Sequence, residues 1–312
     1  MKRPKSEIDI QENVLRRSGD LLNILLSDHS NSTYANIIWA TDSYEHLGQS
    51  FEFKKQILPD LVTGKNQHLI QPRAAKSLVE QRMRTKEKGE VFTPLKTVGK
   101  INRLVEKSGL PNTKNWQSYV SEIRLEISCG EAPFVVTRYN PTSHTGKLIA
   151  LKNRVGFLDR KLRTVSRFCQ DKKNWLIWAK TAFKASYGYE WQGDNVLLAR
   201  ENLLYTLIDF YQDKFGKPPA LEIQEEFAEI ISWNIFQMDG LNYVVPMSCV
   251  KEAKTNQQEL LLFEEEASLQ TDMMLCPGCE NNNPLEHNGH YAMVMDWEKN
   301  KEQKFVGLLR GA

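Results

Sequence analysis

No apolar run in the 312-residue sequence approaches the ~18 residues that a membrane-spanning helix needs, and the polar start MKRPKSEIDIQEN lacks the apolar stretch of a secretory leader. Both absences speak against a membrane role and lead us to expect a cytoplasmic protein. Cysteine is scarce, with five residues in all: Cys129, Cys169, Cys249, Cys276 and Cys279. So few, and in odd number, exclude a dense disulfide scaffold. An excess of one charge is also missing, since 41 Lys+Arg against 39 Asp+Glu leave a net charge of +2. Any contact with nucleic acid must therefore come from a local patch. No repeat or low-complexity tract is visible. A composition of 41% hydrophobic and 26% charged residues is that of a folded protein with a substantial core.

Apolar residues at Ile8, Ile10, Val14, Leu15, Leu21, Leu22, Leu25 and Leu26 recur at helical spacing and predict one or two helices. The compact run Ala35 to Ala40 reads as a strand or a short buried segment. A helix is expected from Leu197 to Tyr211, with Asp194 and Asn195 placed to cap it. Gln257 to Asp272 reads as an exposed acidic linker, and Tyr291 to Trp297 with Lys304 to Leu309 as a closing pair of strands.

Charge is uneven along the chain. Arg73, Lys76, Arg82, Arg84, Lys86 and Lys88 open a basic stretch that runs on to Arg103. It suits either an ordinary solvated helix face or contact with DNA phosphates, which would be salt-dependent. The stretch encloses Gly89-Glu-Val-Phe-Thr-Pro94. Further on, Leu125-Glu-Ile-Ser-Cys-Gly-Glu-Ala-Pro-Phe134 reads as a strand that ends beside an acid and turns through a glycine. Backbone N–H groups at the carboxyl end of such a strand are where open α/β sheets bind ligands.

These two segments, in this order, resemble the opening motifs of the adenine-specific DNA methyltransferases of restriction–modification systems. Gly156-Phe-Leu-Asp-Arg-Lys-Leu162, Tyr187-Gly-Tyr-Glu-Trp-Gln-Gly-Asp194, Ala199-Arg-Glu-Asn-Leu-Leu204 and Ile231-Ser-Trp-Asn-Ile-Phe-Gln-Met-Asp-Gly240 look more closely like the family labelled restriction endonuclease subunit M. The resemblance implies an α/β, Rossmann-like S-adenosylmethionine-dependent methyltransferase fold, with a helical N-terminal region over 1–80, a methyltransferase-like domain with a long insertion over 81–250, and a tail over 251–312. It implies cofactor contacts from Phe92, Thr93, Pro94, Glu126, Cys129, Gly130 and Phe134. Asp239 would hold the cofactor ribose, although Asp239-Gly240 also reads as a simple turn. The chain departs from the family pattern at Ile127, Ala132 and Pro133, and the methyl of Ala132 is expected to narrow the backbone approach to the cofactor.

The tetrapeptide [DN]-P-P-[YF], with which that family grips the target amine, does not occur in the sequence. Few residues follow Asp239, fewer than the remainder of a complete methyltransferase core would be expected to need. The tail instead carries Cys276-Pro-Gly-Cys279 and His287-Asn-Gly-His290. This is a knuckle in which Cys276, Cys279, His287 and His290 would ligate zinc, with Cys249 able to replace either histidine, or else a turn-rich loop with free cysteines. The expected function is a DNA adenine methyltransferase-like subunit that binds S-adenosylmethionine and double-stranded DNA, with a restriction or specificity subunit as a possible partner. The alternative is an inactive module on the same scaffold, acting as a specificity subunit or an anti-restriction factor.

Overall fold

The computed structural model describes residues 19–30, 35–106, 110–143, 146–253 and 273–310. Of the helix expected over Ile8–Leu26, the described part is α1 (Gly19–Leu26), and the expected acidic linker Gln257 to Asp272 lies outside the described residues. After α1 the chain runs extended through 36–40, where Ile37 N donates to Leu26 O and Trp39 N to Lys55 O, each at 2.9 Å. Then come α2 (Pro59–Val62), α3 (Leu78–Lys88), α4 (Leu95–Leu104) and α5 (Trp116–Ser121), ahead of β1 (Arg124–Glu126). The helices α6 (Phe157–Phe168) and α7 (Lys172–Lys184) lead to β2 (Ser186–Glu190), and α8 (Gly193–Phe215) and α9 (Leu221–Asn234) lead to β3 (Ile235–Gln237).

The three strands form a parallel sheet in the order β1-β2-β3, with Leu125 opposite Tyr187 and Tyr189 opposite Phe236. Strands joined through helices are what a mixed α/β chain requires, because a parallel crossover needs a long connection. The helix α8 is buried on nearly all sides, including Val196, Leu197, Leu204 and Leu207, and forms the centre of the core. Leu21, Trp39, Ile57 and Ile70 belong to the same buried cluster as Leu162, Trp175, Leu204 and Ile231, so these described residues of the 1–80 segment share one core with the rest of the chain. No helix among the described residues is long and apolar enough to cross a membrane.

Three details differ from the sequence expectations. Gln192, not Asp194 or Asn195, is the N-terminal cap position of α8, and Asp194 is a wholly buried member of its first turn. The closing strands are β6 (Met293–Asp296) and β7 (Lys301–Lys304), preceded by the two-residue strands β4 (Glu252–Ala253) and β5 (Met273–Met274) and the short helix α10 (Pro277–Asn281). Of the strand expected over Lys304 to Leu309, only Lys304 is strand; Phe305–Arg310 is a 3-10 helix whose Phe305 packs on Tyr189 and Phe236. Within the Tyr187–Asp194 and Ala199–Leu204 segments, Tyr187 donates to Met295 O at 3.1 Å and Asn202 donates to Tyr139 Oη at 2.8 Å.

Arg200 is the tie that brings α1, α8, α9 and β3 together. Its guanidinium donates to Ile235 O and Leu25 O at 2.7 Å and to Ser27 O and Ser232 O at 2.8 Å. Burial pulls its pKa down to about 10, opposed by Asp28 and Glu229. Arg200→Met strips four carbonyl oxygens of their donor, and we expect a loss of roughly 3–5 kcal/mol in urea unfolding.

Candidate functional site

At the carboxyl ends of β1 and β2 lies a cavity of about 570 Å³. Its floor is the loop Glu126, Ile127, Ser128, Cys129 and Gly130 with Pro133 and Phe134; Glu190, Trp191, Gln192 and Asn195 form one wall, and Glu90, Val91, Phe92 and Thr93 another. Ala40, Thr41 and Phe53 close it from the N-terminal segment. Of the residues that the sequence placed at a cofactor, Phe92, Thr93, Glu126, Cys129, Gly130 and Phe134 come together here. Pro94 stands just outside, at the N-terminal cap of α4.

Asp239 is not in the lining. It sits at the tip of β3, where its carboxylate accepts from Leu241 N at 2.8 Å, Asn242 N at 3.2 Å and Asn242 Nδ2 at 2.6 Å, and so holds its own turn. The acid that does face the cavity beside β1 is Glu190, at the end of β2, which accepts from Gly130 N at 2.8 Å and Gln192 N at 3.2 Å. Sequence reading took Tyr187 to Asp194 as a family-like motif and did not single out Glu190 within it. The available signal was an acid closing an alternating strand.

The floor loop turns by left-handed backbone at three positions, Ser128 (φ 46°), Gly130 (φ 54°) and Ala132 (φ 59°). Only glycine adopts that region without strain. Gly130 also faces Phe92, whose ring would lie 3.4 Å from an added Cβ. Ala132 does not narrow the cavity as expected: it is fully buried within the core. The thiol of Cys129 is likewise buried, which pushes its pKa up and leaves it a packing group beside Gly188.

What holds the Glu90–Thr93 wall is a buried ion cluster. Gly89 ends α3 in the left-handed conformation and turns Glu90 back toward Arg84. Arg84 Nε donates to both carboxylate oxygens of Glu90, at 2.8 and 2.9 Å, and Arg84 Nη2 donates to Asp194 Oδ2 at 2.8 Å. Tyr44 Oη donates to the same oxygen at 2.8 Å. Burial opposes the charge on Arg84, but Asp194 and Glu90 keep it protonated; burial likewise opposes charge on Asp194, but Arg84 and Lys76 hold its pKa low. Arg73 places its guanidinium 4.9 Å from the Phe92 ring centroid and 3.8 Å from Glu90.

This placement corrects three of the six cations, Arg73, Lys76, Arg82, Arg84, Lys86 and Lys88, read as suited to DNA phosphates. Arg84 and Lys76 are buried, and Arg73 is turned onto Phe92, Thr85 and Glu90, so these three serve the cavity wall from within. Arg82 and Lys86 are exposed on α3. The side chain of Lys88 lies outside those described.

A second cluster lies beyond β3. Cys249, Cys276, Cys279 and His287 bring one ligand atom each within 4.8 Å of one another, a set that could hold a metal ion. His287 Nδ1 is 3.5 Å from Cys249 Sγ, 3.5 Å from Cys276 Sγ and 3.6 Å from Cys279 Sγ. Cys249 therefore takes the place given to His290, whose backbone instead bonds Val245 and Ser248. Gly278 lets the Cys276–Cys279 turn close over His287, since a Cβ there would stand 2.6 Å from His287 N. Burial raises the pKa of the Cys276 thiol, but donation from Asn288 N at 3.3 Å and from its cluster neighbours brings it down to about 6.

Glu126 carries the clearest electrostatic signature of the cavity. Its carboxylate accepts from Phe134 N at 3.1 Å and Val135 N at 3.0 Å, yet burial, together with the charge of Glu190, pushes its pKa up to about 8. The folded chain thus holds a proton that the unfolded chain releases near the ordinary carboxyl value of 4.5. The stability this provides is complete below that value and is lost as pH rises through about 8, at ~1.4 kcal/mol per pH unit. Glu126→Gln mimics the protonated form, and denaturant unfolding between those limits is expected to lose most of that slope.

Comparison with protein family models, curated proteins and solved structures gives no match to this chain.

Proposed function

We propose that the chain is an S-adenosylmethionine-binding, DNA adenine methyltransferase-like subunit built on half of a Rossmann-like sheet. The observation that carries this is the cavity at the carboxyl ends of two adjacent parallel strands, with the Gly130 turn between two buried acids, Glu126 and Glu190. Its volume of about 570 Å³ lies within the range of small-molecule sites, ~300–1,000 Å³. Two carboxylates disfavoured by burial gain from a cationic ligand, and a sulfonium with an ammonium group fits that field. Glu190 has the bidentate acceptor that a ribose diol needs, while Phe92, Phe134 and Trp191 offer apolar walls to an adenine. When bound, the cofactor would supply an electrophilic methyl group.

The chain's own residues would bind and orient it: Gly130 through its backbone, Glu190 at the diol, and Glu126 by ionising as the cation enters. Contact with DNA phosphates would fall to Arg82 and Lys86, exposed cations among the described side chains of α3. The missing base-gripping tetrapeptide favours a second reading, in which the same chain binds cofactor or DNA without transferring a methyl group.

Calorimetry with S-adenosylmethionine tests the cavity. Glu190→Gln is expected to weaken binding at least ~10-fold, as loss of a charged hydrogen-bond acceptor does, while Asp239→Ala leaves it unchanged. Affinity should rise with pH toward about 8, as Glu126 ionises. An unmodified chain that binds no cofactor would sink the proposal, and binding without methyl transfer to duplex DNA would select the second reading.

For the second cluster we propose zinc. Tetrahedral zinc with thiolate and imidazole bonds of ~2.3 and ~2.05 Å separates sulfur from nitrogen by about 3.6 Å, which the three distances to His287 match at 3.5–3.6 Å. Four protein ligands leave no open position, so the ion would be structural. Elemental analysis of the purified chain should find one zinc per molecule, lost in Cys279→Ser together with several degrees of melting temperature. A chain that purifies without metal and takes up none would exclude the site.

A further inference from the structure

One polar side chain of the main cavity has no partner among the described residues. Asn195, in the first turn of α8, is 2% exposed and lines the cavity. Its backbone N–H donates to Asp194 Oδ1 at 2.9 Å, while its carboxamide makes no hydrogen bond with the described residues. The amide is not sealed into the core either, so the little surface that Asn195 keeps lies toward the cavity. Gln192, at the cap position of the same helix, turns its Oε1 to Arg84 Nη2 at 3.4 Å, and its Nε2 has no acceptor among the described residues. Burying an amide without a partner is costly, and a ligand that completes its hydrogen bonds removes the cost.

The surroundings narrow the ligand. No Lys, Arg or His is among the described residues that line the cavity, whereas Glu90, Glu126 and Glu190 are. Arg84 answers Glu90, but Glu126 and Glu190 accept only from backbone N–H groups. A phosphate would therefore meet acids with no counter-charge. Trp191 and Phe53 pack in one cluster with Ala40, and all three line the cavity with Gln192 and Asn195. Flat apolar rings joined to neutral amides suit an uncharged aromatic base. These groups also follow one another along the wall. Gly188 is the register partner of Glu126; Glu190 stands two residues beyond it, ~7 Å along the strand, and Gln192 and Asn195 come next.

We propose that Asn195 selects the base of the ligand: its Oδ1 accepts from the 6-amino group of an adenine and its Nδ2 donates to the adjacent ring nitrogen, in a nucleoside that carries no phosphate. A carboxamide sets an acceptor beside a donor, and an adenine edge presents the complementary pair. The inference rests on the cofactor reading of this cavity, which supplies adenine in preference to cytosine, a base with the same pair on its edge. It orders the ligand along the wall, with the cation at Glu126, the diol at Glu190 and the base at Asn195. The sequence suggested Asn195 as a helix cap; Gln192 holds that position, and the Asn195 side chain is left for the cavity.

The probes are adenosine, purine riboside, which lacks the 6-amino group, and adenosine 5′-monophosphate, each titrated calorimetrically into the full chain beside S-adenosylmethionine. Adenosine is expected to bind ~10-fold more tightly than purine riboside, because a site built to meet an N–H rejects the analogue without it. It should also bind more tightly than the monophosphate. In Asn195→Leu the preference over purine riboside should vanish while the melting temperature stays within a few degrees, since the side chain holds no other residue in place. Asn195→Ser, whose hydroxyl is too short to reach the base, carries the same expectation and serves if the leucine variant does not fold. Absence of adenosine binding, equal binding of purine riboside, a preference that survives substitution, or tighter binding of the monophosphate overturns the proposal. S-Adenosylmethionine bound without any 6-amino preference sinks this inference alone. The preference without S-adenosylmethionine binding sinks the cofactor reading and leaves the base site standing.

Discussion

Arg84 is the charge on which the cavity depends. It reaches from α3 to Glu90 in the following loop and to Asp194 at the start of α8, and so fastens the wall that carries Phe92 to the helix at the centre of the core. A pair of this kind stabilises little against an apolar replacement, but losing one member leaves an uncompensated buried charge. The cluster therefore specifies position more than it adds stability. With Arg84 fixed, the Glu90–Thr93 loop has one place to lie, and the cavity has a wall.

The second wall is tied to the metal-ligand cluster by ordinary packing. Val245 lies between β3 and Cys249 and packs with Ile38, Ala40, Phe53 and Trp191, three of which line the cavity. Val245 N also donates to His290 O at 2.7 Å, joining the segment after β3 to the one before β6. Were an ion held by the four side chains, it would stiffen a region that packs on the cavity lining through Val245. The interval between Cys249 and Cys276 is long, and bridging it by coordination would remove the entropy of a wide loop.

Much of the site was legible in the residues because its signals are local. Leu125 to Phe134 announced a strand and a glycine turn, and six of the residues read from it and from Gly89 to Pro94 line one cavity. The same locality misled elsewhere. Arg73, Lys76 and Arg84 read as surface charge, since nothing nearby in sequence indicates that Arg84 meets Asp194, a residue on a distant helix. Asp239 was preferred to Glu190 for its motif, although its neighbours Leu241 and Asn242 already use its oxygens. His290 was preferred to Cys249 because it is close to His287 along the chain.

The sequence by itself determined a composition that supports a packed core, the helical and strand periodicities, the turn at Gly130 and the types of residue that could bind a ligand or a metal. Those follow from backbone preference and side-chain chemistry, which act over a few neighbouring residues. Only the tertiary structure decided that Glu190 rather than Asp239 lines the cavity, which cysteine joins the cluster, which arginines are buried, and that β1 is an edge strand among the described residues with Ile123, Leu125 and Ile127 exposed. Each of these depends on contacts between segments far apart in the chain, where burial gives one pairing of charges or ligands a large advantage over the rest.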